Sequence, residues 1–447
     1  MKIIHFMGIG GSGISAAAVL AKSQNFQVTG CDELKSTPYL DKVRHSGIKV
    51  YFEHSEKHLE NIDLLVITPA VLKRNIPEIK KAKKVITWQR FVGEYLQKGK
   101  KVICISGTHG KSTTTAMAAC LLEDAKFNPW ALVGATVKKW KTNYRVGKSK
   151  YFITEADEYN NNFLNYNPSV IILNNIEMDH PDFFKDKGEL LNSFKKHIKN
   201  LIGEKLLIVN WDDKGVRKLL EKNPPGVNLL KYGINGNCEY IAKNIILGKN
   251  FSFFEVDGLS YKLQLPGAYN ISNALGVIAL GKFLKIKDEI IQKSLAKFEG
   301  VERRMDLIGH WRGIKIYDDY AHHPTAIRVT LDALKQKHPH ARIWAIVEPH
   351  SYSRTKTLLP YYKNCFFSAS LVIITKIFKA RDTQDFGVSG QDIVRVSRHK
   401  NIRYIADFKS VAEYFWQNAK KKDVAIVMGA GESYKLARML LKKNYAN

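Results

Sequence analysis

One local pattern restricts this chain more than any other: an apolar strand that runs into a glycine turn and out into a helix, met twice. The more informative instance is Ser106-Gly107-Thr108-His109-Gly110-Lys111-Ser112, which follows the strand-like run Val102–Ser106 and opens a helical stretch from Lys111 through about Ala125. In such a setting a Gly-Lys-Ser ending is a phosphate cradle. Backbone N–H groups cradle the phosphates, Lys111 neutralises the β/γ charge and the Ser112 hydroxyl ligates Mg²⁺. The strict P-loop pattern would have a glycine where Ile105 stands.

The other instance, Gly8-Ile9-Gly10-Gly11-Ser12-Gly13, follows the apolar run Ile3–Met7 and opens an Ala-rich helical stretch, Ile14–Lys22. Gly10, Gly11 and Ser12 would let a pyrophosphate approach the backbone at a helix N-terminus. Asp32, at the end of the next strand Gln27–Cys31, is placed to accept from sugar hydroxyls. The turn does not say which nucleotide.

Around these turns, strands and helices alternate in the manner of parallel sheets. A helical pattern at Tyr39–His45, a strand at Leu64–Thr68 and a helix at Gln89–Leu96 complete a first block, closed by a linker-like Gln97–Lys101. The second block adds strands at Tyr151–Glu155, Val170–Asn174 and Leu206–Asn210 and helices at Glu189–Lys199 and Asn270–Leu284, with short β-like pieces between Leu229 and Leu265. After Phe298-Glu299-Gly300 a third block carries strands at Ile314–Asp318, Arg342–Val347, Leu371–Thr375 and Val424–Met428, a helix from Pro324 and a terminal helix. The expectation is an α/β protein of three domains, 1–98, 99–298 and 299–447: two Rossmann-like units flanking a P-loop unit.

Parallel strands deliver their C-terminal residues to one edge. Glu155, in Thr154-Glu155-Ala156-Asp157-Glu158, and His180, in Glu177-Met178-Asp179-His180, can therefore converge with Ser112 on Mg²⁺, although each also reads as an ordinary loop residue. The same applies to Asp318-Asp319-Tyr320-Ala321-His322-His323-Pro324, which fits metal or sugar contacts or simply a helix start. Pro349-His350-Ser351-Tyr352-Ser353-Arg354 and Met428-Gly429-Ala430-Gly431 also follow strands.

Charge and composition exclude several classes. The formal net charge is +28, from 70 Lys and Arg against 42 Asp and Glu, yet 45% of residues are apolar, which excludes wholesale disorder. The lysines are scattered and no aromatic-interleaved stretch accompanies them, so a surface that attracts small anions is expected rather than a nucleic-acid interface. No apolar run approaches the ~20 residues that span a bilayer. Glycines from Gly8 onward interrupt any secretory core, so a cytoplasmic protein is expected. Five cysteines without a CxxC pair support neither a disulfide framework nor a zinc site. An NAD-dependent oxidoreductase built on Gly8–Gly13 would leave the second phosphate loop without a task.

Taken in order, Gly8–Gly13, Gly107–Ser112, Glu155-Ala156-Asp157-Glu158, Asp179-His180, Asn270 with Asn273, Arg303-Arg304, Asp318–Pro324 and Met428–Gly431 resemble the three-domain Mur ligases of peptidoglycan synthesis over essentially the whole chain. Within that family the sequence is most similar to the ligases that join L-alanine to UDP-N-acetylmuramate. Phe298–Met305 and Ile343–Pro349 look more like the ligases that attach a murein tripeptide. The resemblance implies an ATP-dependent carboxylate–amine ligase working through an acyl phosphate, as a monomer or weak homodimer.

Carried over position by position, the resemblance implies catalytic roles for Lys111, Glu155 and His180. Gly107, Thr108, His109, Gly110, Lys111, Ser112, Thr113, Asn270, Asn273, Arg304 and Asp319 would contact ATP. Ser112 with Glu155 would hold one Mg²⁺, and His180 would help hold a second. Gly10, Gly11, Ser12, Asp32 and Thr68 would line the UDP-sugar site, and His350 and Arg354 would face the incoming amino acid. Several family members carry a carbamylated lysine after the Asp-His pair; Phe194 stands there in the most direct register, with Lys195 adjacent. The L-alanine ligases usually have arginine where Ser351 stands, so glycine, L-serine and a tripeptide stay open beside L-alanine.

Overall fold

The computed structural model describes residues 2–71, 76–222 and 224–442. The chain divides into two compact units that interleave along the sequence: residues 1–176, 191–241 and 273–294 form one, and residues 177–190, 242–272 and 295–447 the other. Residues 443–447 of the expected third domain lie outside the described residues.

The first unit holds two sheets. One is fully parallel, in the order Lys49–Tyr51, Gln27–Cys31, Ile3–Met7, Leu64–Ile67, Val85–Thr87. Leu64–Ile67 is buried throughout, as expected of a parallel strand covered on both faces. The helix Ser12–Ser23 leaves the glycine turn and buries Ile14 to Ala21 without a break. Its small residues permit close packing: a Cβ on Gly13 would come within 2.4 Å of the Trp88 ring.

The second sheet runs Tyr240–Ile241, Asn228–Gly233, Leu206–Asn210, Val170–Leu173, Lys101–Ser106, Tyr151–Glu155, Trp130–Val137, Thr142–Arg145, and only the last pairing is antiparallel. Lys101–Ser106 is thus an inner strand, and its C-terminal end points the second glycine turn into the sheet edge. Asn143 Nδ2 donates to Ser12 O at 2.6 Å and Lys42 Nζ to Thr136 Oγ1 at 3.2 Å, joining the two sheets' elements into one body.

The second unit contains an antiparallel sheet, Lys243–Leu247, Ser252–Val256 and Leu259–Leu263, and a six-stranded one. The latter runs Asp306–Trp311, Ile314–Asp319, Val424–Met428, Ile343–Val347, Leu371–Ile374, Ile402–Tyr404, parallel except for the first pairing. Tyr317, Leu331, Ala345 and Ile426 pack one core, and Ile316, Trp344, Phe415 and Val427 the other, so alternate residues of the central strands serve opposite faces. Helix Pro324–Lys337 starts with proline in its first turn and is capped by the His323 ring, which accepts from Thr325 N.

The architecture is three-domain α/β, as expected. Sequence reading missed the edge strands Lys49–Tyr51, Val85–Thr87, Thr142–Arg145 and Ile402–Tyr404, whose few residues show no clear alternation, and also Trp130–Val137 and Asp306–Trp311. The helix expected at Gln89–Leu96 is a single turn, Trp88–Phe91, that widens into a π-helical turn over Val92–Leu96. Among the described residues no helix is long and apolar enough to cross a membrane. All five cysteines are free thiols.

Candidate active site

Two glycines shape the phosphate loop. Gly107 sits at φ +129° and Gly110 at φ +82°; a Cβ on Gly107 would lie 2.9 Å from Asn175 O, and one on Gly110 would lie 2.6 Å from Asn273 Oδ1. Any other residue would be both strained and obstructed, which leaves a backbone cradle open at the N-terminus of helix Lys111–Asp124. Asn175 braces the loop, its Oδ1 accepting from His109 N at 2.7 Å and its Nδ2 donating to His109 O at 3.1 Å. Asn174 Nδ2 donates to Thr114 Oγ1 at 3.1 Å. The sequence does not mark these paired asparagines as site residues; their place just after Val170–Leu173 is the available signal.

Lys111 is folded over its own loop. Its Nζ donates to Gly107 O at 2.6 Å and to Glu158 Oε2 at 2.8 Å, with Asp157 Oδ1 at 3.7 Å. Burial alone would lower the ammonium's pKa, but Glu158, Asp157 and Glu155 outweigh it and push the pKa up. The lysine therefore carries its charge at any working pH. Ser112 and Thr113 are buried in the first turn of the helix. Glu155 ends its strand half-buried and accepts from Gly134 N at 2.6 Å. The loop, the fixed ammonium, the hydroxyl and the carboxylates suit a nucleoside triphosphate with a hard divalent cation.

At the other turn of this unit Gly8 adopts φ +76°, and a Cβ there would lie 2.5 Å from Thr68 Cγ2. Gly8 N and Ile9 N both donate to Cys31 O. Asp32 is buried and turned toward the loop: Oδ2 accepts from Gly10 N at 2.8 Å and Oδ1 from Leu34 N at 2.9 Å. In this state it shapes the turn, a role beyond the sugar contact expected from sequence. Gly11 and Ser12 open the helix beside it, with Gly11 exposed.

Further along the first unit, Phe194 is buried edge-on against Phe163, while Lys195 points to solvent. The helix thus turns phenylalanine inward and the adjacent lysine outward. His197, also buried, faces Ser106 Oγ at 3.0 Å and stacks on Phe163; burial lowers its pKa to about 3, so it is a neutral packing residue.

The second unit brings together His350 and Arg354, which the sequence assigns to the amino acid, with His180, which it assigns to a cation. Arg354, 5% exposed, donates from Nε to Asp179 Oδ1 at 2.6 Å, from Nη1 to His350 Nδ1 at 2.9 Å and from Nη2 to His180 Nδ1 at 3.1 Å. Burial would raise the Asp179 carboxyl, but Arg354 and the surrounding histidines hold it well below the usual range. Burial, then Arg354, depresses His350 to about 3, which keeps its Nδ1 lone pair available as acceptor. His180 sits at φ +55°, and its N–H donates to Asp179 Oδ1 at 2.8 Å. The sequence marks Asp179 only as the neighbour of His180; its place as the network's anion comes from the fold.

Also in this unit, Asp319 is buried with both oxygens engaged, by Met305 N at 2.6 Å and Ala321 N at 2.7 Å. Arg304 lies over the Tyr320 ring at 5.0 Å. Burial raises Asp318 to about 6 despite Arg303, whose Nε is 3.2 Å away. Glu348, at the end of Ile343–Val347, accepts from Ser433 N at 2.9 Å, and burial pushes it up to about 7. Asn270 Nδ2 donates to Pro266 O at 2.8 Å; it stands one turn before Asn273 on helix Ala268–Phe283.

Comparison with known proteins agrees with this layout. Three family models match in succession: "Mur ligase family, catalytic domain" over residues 3–98, "Mur ligase middle domain" over 105–281 and "Mur ligase, glutamate ligase domain" over 303–431. The UDP-N-acetylmuramate–L-alanine ligase of Caldicellulosiruptor bescii is 36% identical, with 99% of each chain covered. The crystal structure of UDP-N-acetylmuramate-alanine ligase from Thermotoga maritima superposes with a TM-score of 0.81 at 25% identity over 98% of each chain. A murein peptide ligase from Psychrobacter arcticus, at 23% identity and a TM-score of 0.72 over 99% of this chain and 98% of that one, shares the fold. This chain belongs to the Mur ligase family.

Proposed function

We propose that the protein is an ATP-dependent ligase that joins L-alanine to the lactyl carboxylate of UDP-N-acetylmuramate, in the cytoplasm, with residues 1–98 binding the UDP-sugar, 99–298 ATP and 299–447 the amino substrate. The observation that carries this reading is the full-length likeness to L-alanine ligases. ATP would supply the phosphoryl group that makes the carboxylate electrophilic, and bound Mg²⁺ would supply charge compensation.

The chain's own residues position and neutralise. Gly107 and Gly110 keep the cradle free of side chains, and Lys111 presents a charge that its carboxylate neighbours prevent from titrating away. Ser112 and Glu155 would hold one cation, and His180 would help hold a second. Asn270, Asn273, Arg304 and Asp319 would bound the nucleotide. Gly10, Gly11, Ser12 and Thr68 would hold the pyrophosphate and uridine, with Asp32 fixing the turn. Arg354, locked by Asp179, would offer its remaining N–H groups with His350 to the carboxylate of the amino acid.

Phosphate release measured with ATP and UDP-N-acetylmuramate, while L-alanine, glycine, L-serine and the murein tripeptide are offered in turn, tests the reading. L-Alanine should dominate. Turnover with the tripeptide alone would move the assignment to the recycling ligases that Phe298–Met305 resembles.

A further inference from the structure

The first sheet carries a second group of chemistry-bearing side chains outside the phosphate-binding turns. His5 pairs with Thr29 and Met7 with Cys31 across the strands Ile3–Met7 and Gln27–Cys31, so all four project from one face. His58 reaches that face from the turn Glu56–Leu59 and Glu78 from the short helix Pro77–Lys81. One donor atom from each of His5, Cys31, His58 and Glu78 lies within 4.8 Å of every other. His5 and Cys31 are fully buried and Glu78 is 1% exposed.

Two atoms in this group have no hydrogen-bond partner among the described residues: His5 Nε2 and Glu78 Oε2. Both belong to side chains whose other polar atom is well engaged. His5 Nδ1 is 2.8 Å from Thr29 Oγ1, while Glu78 Oε1 accepts from Ser55 N at 2.7 Å and faces His58 Nδ1 at 3.2 Å. Burying an imidazole nitrogen and a carboxylate oxygen without hydrogen bonds is unfavourable unless something binds them, and His54 Nδ1, 3.9 Å from Glu78 Oε2, is beyond hydrogen-bond reach.

We propose that His5, Cys31, His58 and Glu78 form a structural site for a divalent transition-metal ion, with Zn²⁺ the best match. The donors are imidazole nitrogen, sulfur and one carboxylate, a set that suits zinc and not the oxygen-seeking Mg²⁺. Tetrahedral zinc bonds place donors about 3.3–3.8 Å apart, so the observed spacing closes by movements of about 1 Å. Thr29 on the far nitrogen of His5 fixes that ring, as an outer partner of a metal-bound histidine does. His54 Nδ1, 3.2 Å from Cys31 Sγ, would steady the sulfur in the same way. No paired-cysteine spacing announces the site, because its ligands come from four separate segments. The ion would tie the two inner strands to the turn and helix packed on them. It would also brace the glycine turn, since Cys31 O accepts from Gly8 N and Ile9 N.

The test uses the full chain after treatment with a chelator, titrated with Co²⁺ alone and then with Zn²⁺. The expected result is one equivalent of Co²⁺ bound with a thiolate-to-cobalt absorption band, displaced by Zn²⁺, and a rise in Tm with either ion. Cys31→Ser should abolish the band, and His58→Gln should weaken Zn²⁺ binding by more than about tenfold. Absence of the band in the wild type, its persistence in Cys31→Ser, or equal Zn²⁺ affinity in wild type and both variants would overturn the proposal. Should a variant fail to fold, the wild-type band decides alone.

Discussion

Replacing Glu348 by glutamine should make the protein's stability less dependent on pH, in a direction the structure fixes. Burial raises this carboxyl from its ordinary 4.5 to about 7, against the opposing hydrogen bond from Ser433 N. A group whose pKa is raised on folding favours the folded state while protonated. Its contribution is therefore complete below about pH 4.5 and is lost as pH rises through about 7. At about 1.4 kcal/mol per pKa unit the swing is about 3 kcal/mol. Glutamine stays neutral and can still accept from Ser433 N, so Glu348→Gln should match the wild type near pH 4.5 and be more stable by about 2–3 kcal/mol at pH 8. Urea unfolding of both proteins from pH 4.5 to 8, followed by tryptophan fluorescence, measures the difference. Groups such as Asp318 titrate in both and cancel. A difference curve flat within about 0.5 kcal/mol would refute burial as the cause of the shift.

Lys111→Ala should abolish ligation while leaving UDP-sugar binding nearly unchanged, as phosphate release and calorimetric titration would show. Gly10→Val, whose Cβ would meet Asp32 Oδ2 at 2.9 Å, should raise KM for the UDP-sugar far more than KM for ATP in steady-state kinetics. Arg354→Ala should raise KM for L-alanine at least about tenfold. It should also lower stability by about 3–5 kcal/mol in denaturant melts, because Asp179 would be left buried without its counter-ion.

Local signals were readable and distant ones were not. The loop Gly107–Ser112 was legible because strand, turn and helix are contiguous, and each glycine answers a backbone need inside that window. Glu158 holds Lys111 from 47 residues away, and Asp179 holds Arg354 from 175 residues away; no spacing rule links such pairs. Asp32 follows its strand as the sequence indicates, but its turn toward Gly10 N depends on a rotamer that sequence does not encode. Short edge strands such as Lys49–Tyr51 and Val85–Thr87 carry too few residues to show a period of two.

The ion pair between Asp179 and Arg354 bears on how the gene can be dissected. A fragment ending at residue 298 would retain Asp179 and His180 but discard the guanidinium that neutralises the Asp179 carboxylate. Segments 177–190 and 242–272 would likewise lose the unit they pack within. The two units are thus not beads on a string, and excising the middle of the chain by sequence boundaries would yield a less stable piece than the intact protein contains.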